Sequence, residues 1–170
     1  MHKLKKLSTF VSTNIVITIM TIEDIIKSNA PLPIPKKTVL NIFYTQNMIA
    51  DKFNDLLKPY DLSGEQFNVL RILRGQHGQP ANMCLIQERM LARTSNTTRL
   101  VDKLLLKEYV TREVCPENRR KMEVQITEKG LKLLEELDPK VVEHELSFSR
   151  NLNPEELEIL NTLLEKFRNQ

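Results

Sequence analysis

At 170 residues the chain has room for one domain, or one domain with arms, and for a proper hydrophobic core. With 4 glycines, no tryptophan, no Gly-rich phosphate loop and no GxSxG stretch, it does not read as a nucleotide-binding enzyme, and no catalysis is expected. The formal charge of +3 is modest but unevenly spread. Residues 93–121 hold 8 Lys and Arg against 4 Asp and Glu, whereas residues 131–170 hold 5 against 9. A basic middle beside an acidic end suits one face for an anion and another kept off it, although ordinary solvated charge reads the same way.

Cys84 and Cys115 form no CxxC pair, so no zinc or dithiol motif is present, and such sparse usage suits a reducing cytoplasm. The pair Cys84 and Cys115 as a thiol redox catalyst remains a rival reading. His144-Glu145 opens like a zincin box, but Phe148 stands where the second histidine is needed. No metal or other cofactor is expected.

Residues 1–37 read as a flexible N-terminal extension. Lys3, Lys5 and Lys6 precede a semi-apolar run over residues 7–20 that mimics a signal peptide. No small-residue cleavage site follows, and the run is too short and polar to span a bilayer. Met20 as the true initiator is one alternative and a membrane tether another. Pro31, Pro33 and Pro35 predict a stiff extended lead-in that a helix should not include.

Helical spacing starts at Thr38 and runs to about Lys58 through Val39, Ile42, Phe43, Ile49, Phe53 and Leu57, where Pro59 ends it. Ser63 and Gln66 form a capping box for the next helix, which buries Phe67, Leu70 and Leu73 and stops near Gly75–Gly78. Residues 79–82 read as a turn and residues 83–91 as a short helix with Leu85, Ile86 and Met90 inward. Beyond residue 126, Thr127 caps a helix through Leu131, Leu134 and Leu137, which Pro139 should kink or restart. Asn153, Pro154 and Glu156 then open a last helix with an apolar face of Leu157, Leu160, Leu163, Leu164 and Phe167.

The stretch over residues 93–121 organises the rest. Residues 95–107 wind into a helix with Leu100, Val101, Leu104 and Leu105 on one side and Ser95, Arg99, Asp102 and Lys103 on the other. Leu106 lands on the polar side, which the pattern leaves unexplained. Two β-type runs, residues 110–115 and 122–126, flank the loop PENRRK. The helix suits a major groove and the basic hairpin tip a minor groove. Ser95, Asn96, Thr97, Thr98 and Arg99 cluster at the helix N-terminus, where N–H groups favour phosphate and Arg99 can grip a guanine. Lys103 and Lys107 are placed for backbone phosphates.

Residues 61–73, 95–121 and 126–130 together resemble the multiple antibiotic resistance regulator (MarR) family, over about residues 38–170. The resemblance implies a mainly α fold with a small β-hairpin wing: a winged helix-turn-helix with N- and C-terminal dimerisation helices. Residues 61–130 would be the DNA-binding domain, and residues 38–60 and 131–170 the helical dimerisation region. It implies a transcriptional regulator, repressor or activator, that binds double-stranded DNA as a homodimer on a palindromic operator, modulated by a small-molecule effector. In the family an acid two residues before a wing arginine pairs with it; here Asn118 precedes Arg120, so the acid is missing. Asn118, Arg119, Arg120 and Lys121 complete the expected DNA-binding set, and Phe43, Tyr44, Phe67 and Arg71 the expected effector pocket. A winged-helix protein–protein module without DNA binding is the alternative, and a monomer that closes its own core is the alternative to the dimer.

Overall fold

The computed structural model describes residues 20–91, 96–115 and 121–169. They fall into two compact units that divide after Asp51. In the first, α1 (Ile22–Ile25) is opened by a capping box in which Thr21 Oγ1 accepts from Asp24 N and Asp24 Oδ2 accepts from Thr21 N. Ile22 is buried, and Lys37 pairs with Glu23 at 2.9 Å. The hydrogen bond from Lys37 is the main reason the Glu23 carboxyl sits below its ordinary range. This short element was not foreseen, because four residues carry no readable period.

Helix α2 (Ile34–Leu57) begins earlier than the proline spacing predicts, and Pro35 lies inside it. The correction has a simple cause. In a first helical turn the N–H groups have no intrahelical partner, so a proline there costs no hydrogen bond and its fixed φ already suits the helix. Val39, Phe43, Tyr44 and Ile49 remain exposed along this helix.

The second unit begins in the last turns of α2, where Leu57 is fully buried. A 3-10 turn, Lys58–Tyr60, follows, and Asp61 at φ 51° reverses the chain. Helix α3 (Gly64–Arg74) carries the expected Ser63/Gln66 capping box and buries Phe67, Leu70 and Leu73. Then come β1 (Ala81–Asn82), α4 (Met83–Arg89), α5 (Thr97–Leu106), β2 (Val110–Val114) and β3 (Met122–Ile126). Helices α6 (Glu128–Ser149) and α7 (Pro154–Arg168) complete the chain. The fold is mainly helical, with one small antiparallel sheet ordered β1-β3-β2.

Residues 79–82 were expected to be only a turn, yet Ala81 pairs with Val124 and Asn82 with Glu123. A two-residue strand is too short to show alternation, so sequence could not reveal it. The core joins Leu70 and Leu73 of α3, Ile86 of α4, Val101 and Leu104 of α5, Val110 and Val124 of the sheet, and Leu134 and Leu137 of α6. Helix α6 runs unbroken through Pro139, neither ended nor restarted there. Tyr60 and Lys140 both bond to Glu136, in that order of influence, and hold its carboxyl below the ordinary range. The same contacts raise Lys140, the Tyr60 hydroxyl contributing most.

Glu108, at φ 60°, turns the chain from α5 into β2. A left-handed conformation costs an L-residue roughly 1–2 kcal/mol that glycine does not incur. Added unfolded-chain entropy offsets about half of the gain in a Gly variant. Glu108→Gly is therefore expected to raise the thermal midpoint by about 2 °C, as calorimetry would show; a lower midpoint would mean that the Lys129–Glu108 pair at 3.0 Å matters more than the backbone.

Candidate nucleic-acid interface

Helix α5 is positioned by its buried stripe, Thr97, Val101 and Leu104. Three residues at i, i+4 and i+7 share one side at about 100° per residue. The opposite arc carries Thr98, Arg99, Asp102, Lys103 and Leu106. Of these, Thr98, Arg99, Lys103 and Leu106 are exposed. Asn96 caps the helix, its Oδ1 accepting from Arg99 N at 3.2 Å. No ion pair is found for Arg99 or Lys103 among the described residues, so both cations are available to an outside anion.

Thr97 is only 5% exposed and lies on the core side, so it is withdrawn from the expected DNA-contacting set. The helical wheel already contains the reason: Thr97 precedes Val101 by four residues and Leu104 by seven. The type of a small polar side chain near a helix start suggests an outside contact, but its angle decides where it points. Leu106, unexplained by the pattern, is 86% exposed.

The sheet is fastened to α5 by an ion pair that sequence reasoning missed. Arg112 Nη1 on β2 donates to Asp102 Oδ1 at 2.6 Å. The signal was present but unused: Arg112, Glu113 and Val114 lie in an exposed strand beside a helix with one outward acid. A charged pair between the helix and the strand fixes their relative angle, which two packed apolar surfaces alone leave looser. Lys107, expected at a phosphate, instead donates to the main-chain oxygen and, at 2.7 Å, to Oδ2 of Asp61. That pulls the Asp61 carboxyl below its ordinary range and ties the end of α5 to the corner before α3.

Strands β2 and β3 pair from Val110↔Ile126 to Val114↔Met122, and Cys115 N donates to Lys121 O at 2.9 Å. Lys121 is exposed and Cys115 is buried. Ser95, Asn118, Arg119 and Arg120, all expected at the interface, lie outside the described residues.

Of the four expected pocket residues, two lie in each unit. Phe67 belongs to the core of the second unit, with Arg71 6.0 Å above its ring. Phe43 and Tyr44 are exposed on the part of α2 that belongs to the first unit. A cavity of about 700 Å³ in the second unit is lined by Asn54, Lys58, Asp61, Gln66, Lys103 and Lys107 and includes none of the four. Among the described residues no cluster of His, Cys, Asp or Glu could hold a metal, and no helix is long and apolar enough to cross a membrane.

The arrangement is one that known proteins share. The profile of the MarR family matches residues 62–122. The HTH-type transcriptional regulator MhqR of Bacillus subtilis is 31% identical over 118 residues, which cover 69% of this chain and 80% of that protein. Among solved structures, a MarR transcription factor from Planctomyces limnophilus is similar at 30% identity with a TM-score of 0.63, over 80% of this chain and 98% of that one. The fold is also that of BpsR from Bordetella bronchiseptica, whose DNA binding is regulated by 6-hydroxynicotinic acid; there the TM-score is 0.72 at 21% identity, over 83% of this chain and 99% of that one. The helix-turn-helix, the sheet beside it and these likenesses agree: the chain belongs to the MarR family of transcriptional regulators.

Proposed function

We propose that this chain reads a palindromic DNA site as a cytoplasmic homodimer and that a small-molecule effector modulates the reading. The observation that carries DNA recognition is the outward arc of α5, with exposed Thr98, Arg99 and Lys103, held to the sheet by Asp102 and Arg112. Thr98 and Arg99 suit base edges, and Lys103 and Lys121 suit phosphates. Ser95, Asn118, Arg119 and Arg120 are proposed to extend the same contacts.

The homodimer is supported by apolar surface that stays exposed among the described residues. Helix α7 has no buried residue, and Ile159, Leu160, Leu163 and Phe167 are exposed on it. A second copy would cover that surface by a twofold interface, which presents two reading helices to one DNA face. Effector modulation is supported by the fold shared with BpsR, and Phe43, Tyr44, Phe67 and Arg71 remain its proposed lining.

Selection of bound DNA from a random pool tests the reading directly. The expected result is an inverted repeat with half-site centres about 10 base pairs apart. A single unpaired half-site would overturn the dimer. No enrichment even at low salt would favour a protein–protein module.

A further inference from the structure

Between the end of α2, the start of α3 and the end of α5 lies the cavity of about 700 Å³, with all of its lining in the second unit. Small ligands are held in cavities of about 300–1,000 Å³. Gln66 lines it and is only 4% exposed. Its Oε1 accepts from Ser63 N at 3.0 Å, a bond that fixes which way the amide is turned. The amide nitrogen keeps two N–H groups, and no acceptor for them is found among the described residues. A buried donor without an acceptor is costly, so one on a cavity wall suits an acceptor brought by an occupant.

The charged lining says which acceptor. Lys58 and Lys103 have no ion pair among the described residues, whereas Lys107 is held by Asp61 at 2.7 Å. Two ammonium groups and an amide donor suit a phosphate monoester, which carries nearly two charges and three acceptor oxygens. Asp55 and Glu65 line the same cavity, also without an ion pair among the described residues. Carboxylates accept from hydroxyl groups and repel further phosphates. They fit the hydroxylated part of a small molecule and oppose a duplex backbone, which brings one charge per ~1.7 Å of its axis. Leu62 and Leu106 are the apolar residues in the lining, so an aromatic ligand has little to bury against.

We propose that this cavity binds a small sugar phosphate, its phosphate on Gln66 Nε2, Lys58 and Lys103 and its hydroxyl groups on Asp55 and Glu65. The site is separate from the expected pocket of Phe43, Tyr44, Phe67 and Arg71. Lys103 and Leu106 belong to α5, so an occupant draws Lys103 away from a DNA phosphate. Sugar phosphate and duplex then compete for one ammonium group. That consequence, unlike the binding itself, rests on the DNA reading above.

The test is calorimetric titration of the full-length chain with glucose 6-phosphate, glucose and inorganic phosphate. Glucose 6-phosphate should bind about tenfold tighter than inorganic phosphate, and glucose should give no heat. Gln66→Glu keeps the capping box, because a glutamate there also accepts from Ser63 N, but it replaces the donor by a carboxylate. Its melting midpoint should stay near that of the wild type, and its affinity for glucose 6-phosphate should fall about tenfold. Lys58→Gln, outside the DNA-contacting set, should cost a similar factor. Unchanged affinity in both variants, or no binding by the wild type, overturns the site; equal affinity for inorganic phosphate overturns the sugar. Operator binding is then measured with and without glucose 6-phosphate. It should weaken about threefold in the wild type and not in Gln66→Glu; no weakening in the wild type overturns the competition. If Gln66→Glu alone costs the operator about tenfold, the phosphate in the cavity is the duplex's and the proposal falls. If glucose 6-phosphate binds and no DNA does, the DNA reading falls and the site stands.

Discussion

Gly130→Ala is expected to lower the thermal midpoint by about 10 °C. A Cβ at position 130 would stand 2.4 Å from the main-chain oxygen of Tyr109 and 2.8 Å from Ile126 Cγ1. Neither neighbour yields easily. Tyr109 O accepts from Thr127 N at 3.0 Å, and Ile126 is held in register opposite Val110. The methyl would have to push the first turn of α6 off the base of the wing. Overpacking of this kind costs about 3 kcal/mol, which converts to roughly 10 °C in a chain of this size. Gly75→Ala is the control: its Cβ would lie 3.4 Å from Ile72 O, an ordinary contact, at φ −66°. If both variants melt together, near the wild type, the close approach at Gly130 is not what seats α6.

Much of this architecture was legible because strong local rules coincide with the tertiary packing. The caps at Ser63, Thr127 and Asn153 fall where Ser, Thr and Asn precede apolar periods, and each is made. The change of period after Leu106 marks β2, and residues 122–126 mark β3 to the residue. What stayed illegible depends on partners remote in sequence. Two residues at β1 become strand only because β3 passes beside them, 43 positions on in the Ala81–Val124 pair. Arg112 acquires its role from Asp102 on another element. Lys107 carries a charge that suits phosphate, but its direction is set by Asp61, far upstream. Charge type is written in the chain, whereas direction comes from packing. Thr97 teaches the converse lesson. Its angle on the wheel points inward, whatever its side-chain type suggests.

The second large effect is expected at Arg99, and its contrast with Lys103 separates reading from holding. Both side chains leave the outer arc of α5, four residues apart and without an ion pair among the described residues. Arg99 sits at the third helical position, where the turn nearest the N-terminus points most directly at a groove floor. A guanidinium can bond to the O6 and N7 of one guanine, and each such pair is worth about 1–3 kcal/mol against the wrong base. Arg99→Ala should therefore weaken the selected operator by about 10- to 100-fold and leave non-specific DNA nearly unchanged. Lys103 stands one turn further along, where an ammonium on a flexible stem suits a phosphate. Lys103→Ala should weaken both DNAs alike and reduce the slope of log affinity against log salt by about 0.9 per protomer. Binding titrations at several salt concentrations read the two effects apart. Equal losses on both DNAs from Arg99→Ala, with the salt slope falling as for Lys103, would make Arg99 another phosphate contact. The sequence would then be read elsewhere, with Thr98 and the wing as the remaining candidates.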